Sequence, residues 1–176
     1  MILSLASIEA SKDDDELFER LSDALKEIFP PELQENRDGF LVELQRAPRG
    51  LRAMACIFDL DVSMTLDDLA WHFGNHNDER FLQETVVGLR ELEAEEVSNL
   101  FTSAWDVVKP YLPEIRSKDW ADEDPHDYFD RTGIQAQVDP LNEKMWALCK
   151  QIGKLGLLQY WIAYARKYPE RCVPVS

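Results

Sequence analysis

The chain has 176 residues, of which 45% are hydrophobic, with nine prolines and seven glycines. This length and composition are typical of one globular domain that buries a core without disulfides or metals. The formal net charge of −15 disfavours direct nucleic-acid binding, because most of the surface would repel phosphate. No apolar run reaches the length of a transmembrane helix, so no membrane partner is expected.

The N-terminus and the cysteines indicate a cytoplasmic protein. Residues 1–6 are apolar but have no Lys or Arg before them, which argues against a signal peptide. The three cysteines, Cys56, Cys149 and Cys172, are odd in number and lack the spacing of zinc ligands. We therefore expect unpaired cysteines in a reducing compartment.

The first 60 residues predict a helical arm. Asp13, Asp14, Asp15 and Glu16 stand at the start of an apolar stripe that continues to Ile28, where acids stabilise the positive end of the helix dipole. Residues 39–47 fit a strand or a helix, and we prefer a helix because no partner strand is in sight. Residues 51–58 resume the helical pattern, and the polar run at 59–63 is expected to end it.

Three consecutive helices are predicted in the centre of the chain. Thr65 is placed as the N-cap of a helix over residues 65–73, and the Gly-Asn pair in residues 74–78 predicts a turn. Two further helices follow over residues 82–92 and 94–108. The last of them keeps its 3.6-residue apolar spacing without a break, so one face is core and the other faces water or a partner.

The chain changes character after Pro110. Acids and aromatic residues alternate over residues 119–130, which predicts a surface loop with one helical turn near 127–131. Asp139 followed by Pro140 is typical of a helix start, with an N-cap and a proline at the first helical position.

Two last helices are expected over residues 141–152 and 157–168. The sequence therefore predicts an all-α single domain, an irregular orthogonal array of seven or eight helices. Within it we distinguish an N-terminal arm (1–60), a core (61–168) and a tail (169–176).

Candidate catalytic chemistry is sparse. Asp68, His72 and His76 are spaced i, i+4 and i+8, and an uninterrupted helix would present both imidazoles to one metal ion. The Gly-Asn pair between the histidines predicts that the helix ends before His76, so no metal or other cofactor is expected. The acids of residues 122–127 lack the glycine and distal glutamate of an EF-hand and are expected to form a solvated loop.

No nucleophile motif or phosphate-binding glycine loop is present, so we do not expect an enzyme. The alternative is a small metal-dependent enzyme that uses Asp68, His72 and nearby carboxylates. Among the tryptophans, Trp105, Trp146 and Trp161 follow apolar stripes and are expected in the core. An exposed Trp71 or Trp120 would instead mark an interaction surface.

Three segments together resemble a family of small acidic helical bacterial proteins whose best-studied member is a DNA mimic. They are residues 69–75 (LAWHFGN), residues 84–104, and residues 139–161 from Asp-Pro-Leu through to Tyr-Trp. The resemblance covers about residues 60–168. Where the family usually has Asn-Gly-Gly before its aromatic pair, this chain has Leu66-Asp67-Asp68.

The resemblance implies a non-enzymatic protein that presents carboxylates to the DNA-binding face of a basic partner protein. Negative charge is concentrated where this requires it, since residues 57–108 contain 12 acids and 2 bases. Carboxylates fixed on helices can replace phosphates opposite Lys and Arg. The candidate partner-binding residues on the predicted polar faces are Glu84, Glu91, Glu95, Glu96 and Asp106, with Asp13, Asp14, Asp15 and Glu16 as a second patch.

A generic adaptor or an immunity-type protein would differ from a DNA mimic only in its partner. The sequence leaves the oligomeric state open, with a dimer among the alternatives.

Overall fold

The computed structural model describes residues 3–34, 36–120 and 123–174. These residues contain α-helices and no β-strand, which confirms the all-α prediction. The helices are α1 (Leu5–Glu9), α2 (Asp14–Ile28), α3 (Pro31–Gln34), α4 (Arg37–Arg46), α5 (Arg49–Leu66), α6 (Leu69–Asn75), α7 (Glu79–Glu91), α8 (Glu95–Val108), α9 (Leu112–Ser117), α10 (Pro125–Arg131), α11 (Gln135–Ile152) and α12 (Gln159–Lys167). Single 3₁₀ turns form at Lys109–Tyr111, Gly156–Leu158 and Pro169–Arg171.

The predicted number of seven or eight helices is therefore too low. Short helices such as α1, α3 and α9 form in segments where the sequence pattern shows only connections. No helix in the described ranges combines the length and the apolar character needed to cross a membrane.

Helix α5 is the central element. Ten of its 18 residues are buried, and α4, α6, α7 and α12 all contact it. The expected boundary at residue 60 between an arm and a core falls inside this continuous helix. The two parts instead share one hydrophobic cluster, which takes in Leu17 of α2 as well as Phe101 of α8.

The crossing of α5 and α7 depends on Gly88. A Cβ atom at this position would lie 3.1 Å from the carbonyl oxygen and 3.2 Å from the Cα of Ala53 in α5. The two helix backbones approach one another here more closely than an intervening side chain would allow. Glycine is therefore required for steric reasons and not for its backbone freedom.

Helix α5 continues through the polar run where we expected it to end, and that prediction is wrong. The polar side chains find partners: Asp61 accepts the backbone N–H of Leu157 at 2.8 Å, and Ser63 donates to the carbonyl of Asp59 at 2.7 Å. Each of these polar groups has a hydrogen-bond partner, either within the helix or on a distant element. Burying this side of the helix therefore costs little free energy.

The break between α5 and α6 lies three residues later than predicted. Thr65 is inside α5 and caps nothing, whereas Asp68 is the N-cap of α6 and accepts the backbone N–H of Trp71 at 2.9 Å. Asn142 of α11 accepts the neighbouring Leu69 N–H at 3.0 Å and donates to Asp68 at 3.2 Å. Two of the free amides at the start of α6 are thereby satisfied.

The predicted turn at Gly74-Asn75 is also wrong, because both residues belong to the last turn of α6. Gly74 is buried against α10, where a Cβ would lie 2.8 Å from the ring of Pro125. Its carbonyl accepts the indole N–H of Trp120 at 3.1 Å. A small residue is needed at this contact, and the helix ends only at the following His76.

Helix α11 starts before the predicted Asp139-Pro140 signal. It begins at Gln135 and contains Pro140 within its length, so the expected start there is wrong. Ile134 and Val138 are fully buried, and this packing holds the turn before the proline in helical conformation despite the missing N–H.

The acidic segment after α9 contains α10, which confirms a helical turn near residues 127–131. Asp122 of the predicted solvated loop lies outside the described residues. Trp120 is half-buried against the core, and Trp161 is fully buried as expected. Trp105 and Trp146 are only partly buried, while Trp71 is half-buried beside His76.

Replacing Asp68 by alanine should lower the free energy of unfolding by about 2 kcal/mol, because an N-cap is lost together with hydrogen bonds from Asn142 and Gln135. Urea denaturation followed by circular dichroism measures this. The matched control is Asp106→Ala, whose exposed side chain should change stability by less than about 0.5 kcal/mol. Equal effects of the two substitutions would contradict the capping role.

Candidate functional site

Helix α8 presents three of the predicted carboxylates to solvent. Glu95, Glu96 and Asp106 are exposed, and none forms an ion pair or hydrogen bond with another side chain of the described ranges. The opposite face is anchored by Val97 and Phe101, which are fully buried. Glu95 and Asp106 are 11 residues apart, so the helical rise separates them by about 16 Å along the axis. The helix thus holds separated negative charges on a rigid support.

Glu84 does not face outward, and the prediction is wrong for this residue. Its side chain is only 16% exposed and accepts hydrogen bonds from both the Nε and an Nη atom of Arg52 on α5, at 2.7–2.9 Å. Gln45 of α4 donates to it as well, at 3.1 Å. The carboxylate therefore joins α7 to its two neighbours and has little charge left to offer a partner.

Glu91 does not face outward either, in contrast to its predicted place on a polar helix face. Its side chain is 8% exposed and forms an ion pair with Arg49, with Arg171 at 3.4 Å. It also accepts a hydrogen bond from the hydroxyl of Tyr164 on α12. Burial, together with this hydrogen bond to a carboxylate, raises the pKa of Tyr164. Glu91 thus fixes the end of α7 to the C-terminal segment.

The second patch, at the start of α2, is divided between structural and free carboxylates. Asp13 caps the helix by accepting the Glu16 N–H at 2.8 Å, and Glu16 accepts from Arg20 at 2.8 Å. The backbone N–H of Lys12, followed by Arg20, lowers the pKa of Glu16. Asp14 lies 3.6 Å from Arg166, whereas Asp15 is exposed and has no partner within the described part of the chain.

The basic end of α12 lies between the two acidic patches. Arg166 donates to the carbonyls of Ser11 and Asp13, both at 2.9 Å, and so attaches the N-terminal residues to the last helix. Lys167 pairs with Glu93 at 2.7 Å, just before α8. The acidic surface is consequently interrupted between the start of α2 and α8, whose exposed carboxylates remain unpaired by other described residues.

Asp68, His72 and His76, which were considered as metal ligands, do not lie together at one site. His72 is fully buried, with its Nδ1 atom 2.8 Å from the hydroxyl of Ser63. His76 lies beside it, with a ring-to-ring distance of 4.9 Å, but Asp68 bonds to the N-terminus of α6 and to α11. The two histidines are neighbours because α6 continues through Gly74-Asn75, which the sequence analysis did not anticipate.

His76 belongs instead to a half-buried polar cluster with Asp59 and Arg37. The Nδ1 atom of His76 lies 3.4 Å from the carboxylate of Asp59 and 3.2 Å from an Nη atom of Arg37. Burial raises the pKa of Asp59 to about 6, with Arg37 opposing the shift. Burial, and then Arg37, lower the pKa of His76 to about 4. The folded protein therefore favours the neutral form of each group more than water does, and Asp59 still ionises as the pH rises above about 6.

A further group, Asp67, Asp68 and His126, brings its ligand atoms within 4.8 Å of one another. His126 lies 3.0 Å from Asp67, and the carboxylate of Asp68 already accepts hydrogen bonds from Trp71, Gln135 and Asn142. These contacts explain the cluster as an ion pair beside a helix cap.

The exposed helix α8 lies within residues 45–167, which match the family model of the DMP19-like protein. The chain belongs to the DMP19-like family. This confirms the family inferred from resemblance, and the match begins earlier than the expected residue 60, so it includes the whole of α5. The Asp13–Glu16 patch precedes the matched range. Neither the curated proteins nor the solved structures gave a match.

The pairing of Asp59 with His76 predicts opposite pH dependences for two variants. Stability from the raised pKa of Asp59 is present below about 3.8 and lost as the pH rises through about 6. Stability from the lowered pKa of His76 is present above about 6.5 and lost as the pH falls towards 4. The two changes oppose one another in the native protein.

We compare stability at neutral pH with stability at a pH between about 4 and about 6, the pKa values of His76 and Asp59. Over this fall in pH the Asp59→Asn variant should lose more stability than the native protein. His76→Asn should lose less, since only the Asp59 contribution remains. Urea midpoints at the two pH values measure both differences, and the acid response of all other groups cancels between variants. Parallel profiles for the three proteins would refute the assignment.

Proposed function

We propose that this DMP19-like protein is a non-enzymatic interaction module that occupies the basic, DNA-binding surface of a partner protein. The observation that supports the proposal is the exposed face of α8, where Glu95, Glu96 and Asp106 remain unpaired by other described residues. Membership of a family typified by a DNA mimic is compatible with this role.

The physical argument concerns where the charge is available. Glu84 pairs with Arg52, and Glu91 pairs with Arg49 and Tyr164. Neither carboxylate can therefore bind a partner without breaking contacts that hold the fold together. The carboxylates of α8 carry no such cost, because water is their present neighbour. Lysine and arginine side chains that normally neutralise phosphates can therefore pair with them, and long-range attraction speeds the encounter.

Asp13, Asp14, Asp15 and Glu16 are the secondary contact in this proposal. Asp15 can contribute its full charge, whereas Glu16 is paired with Arg20 and Asp14 is close to Arg166. An adaptor or immunity-type role, with a basic partner that does not bind DNA, uses the same face of α8. Competition by duplex DNA distinguishes the two roles. Duplex DNA should displace this protein from a DNA-binding partner, but not from a partner that does not bind DNA.

The test compares two triple variants of equal net charge. Glu95→Gln, Glu96→Gln and Asp106→Asn should weaken binding to the partner about tenfold at low salt, since each exposed charge pair contributes up to ~1 kcal/mol. The control triple, Asp127→Asn, Asp130→Asn and Glu143→Gln, removes three exposed carboxylates outside α8 and should retain binding. A pull-down from lysate identifies the partner, and calorimetry with the purified partner measures the affinity.

The partner should dissociate at high salt and be displaced by duplex DNA. A partner that remains bound at high salt and ignores DNA would contradict the proposal. So would equal losses of affinity in the two triples, because binding would then depend on total charge and not on α8.

A further inference from the structure

A cavity of about 560 Å³ opens between α2, α4, α5 and α12. Protein interiors are close-packed, and cavities of this size are typical of sites for small organic molecules. Phe29 and Phe40 form one part of the wall, with ring centroids 5.1 Å apart. The cavity is thus large enough to hold a small organic molecule.

Three aromatic rings from three helices form another part of the apolar wall. Phe18 of α2 stacks on Trp161 of α12 with centroids 6.0 Å apart, and Phe58 of α5 lies 6.3 Å from the same indole. Phe58 is 42% exposed, although it lies beside the buried Trp161. The faces of aromatic rings carry partial negative charge and attract organic cations.

Charged side chains around the cavity are mainly acidic. Asp59 reaches it from α5, and Glu19 and Asp23 border it from α2. Among the lining residues that the structure describes, Lys26 is the one cation, and its ammonium lies 3.9 Å from Asp23 and is largely exposed. Three carboxylates beside an aromatic wall would repel an anion and favour a positive group with an apolar body.

We propose that this cavity binds a small organic cation, of the alkylammonium class, with its apolar part against Phe18, Phe58 and Trp161 and its charge near Asp59. This site is separate from the exposed face of α8 and does not depend on the proposed function. Its whole α2 wall precedes residue 45, where the family match begins. The proposed site therefore combines residues inside the family match, Phe58, Asp59 and Trp161, with an α2 wall outside it.

The test uses three probes of the same chain length and different charge, hexyltrimethylammonium, hexanol and hexyl sulfate, titrated into the full-length protein by calorimetry. The cation should bind about tenfold more tightly than the alcohol, and the sulfate should bind least. Amide chemical-shift changes should appear at residues such as Ser22 and Phe58, which line the cavity.

Two variants locate the charge preference. Asp59→Asn, and separately Glu19→Gln with Asp23→Asn, should reduce cation binding several-fold and leave hexanol binding unchanged. The second variant alters only exposed side chains, so it remains informative if Asp59→Asn unfolds the protein. Glu95→Gln with Glu96→Gln, which removes charge from α8, should leave all three affinities unchanged.

Equal affinities for the three probes would overturn the proposal, as would tighter binding of the alcohol. Shift changes confined to surfaces outside the cavity would overturn it too. In any of these outcomes the partner-binding test on α8 stands unaffected, because it uses different residues and a different ligand.

Discussion

The close approach of α5 and α7 at Gly88 is the constraint on which most of this structure depends. The backbones come into near contact at Ala53, which brings polar side chains of the two helices within reach of one another. Glu84 therefore pairs with Arg52 across the crossing, and Asp59 pairs with His76 and Arg37. Several carboxylates of the acidic central segment therefore hold helices together through ion pairs and hydrogen bonds.

Sequence periodicity correctly predicted the helices whose boundaries do not depend on contacts with distant residues. Helix α8 matches its prediction because a continuous apolar stripe packs against the core while its other face remains in water. Helix α5 was predicted too short, since partners of Asp61 and Ser63 come from residues far along the chain or from the helix backbone. A local pattern cannot show that a polar residue will be satisfied by a distant one.

The same limit applies to helix ends. Thr65 and Asp68 are both good N-caps by residue type, and Asn142 of α11 supports the second by bonding to Asp68 and to Leu69. The Asp139-Pro140 pair is a sound start signal that buried Ile134 and Val138 override. In each case tertiary contacts selected between two locally acceptable positions.

The candidate surface was predictable for Glu95, Glu96 and Asp106, because their exposure follows from position on a strongly amphipathic helix. It was not predictable for Glu84 and Glu91, whose positive partners lie on α5 and in the C-terminal segment. The aromatic cavity gave no sequence signal at all. Its rings come from helices that are remote in sequence, and each ring alone reads as ordinary core.

The attachment of Arg166 to Ser11 and Asp13 places the arm over Trp161 and makes α2 one wall of a recess whose other walls belong largely to the family core. The two proposed recognition sites thus lie on different structural parts. The lining residues of α2 are distinct from the exposed carboxylates of α8, so substitutions at one proposed site leave the residues of the other in place. Selection could therefore alter one specificity while preserving the other.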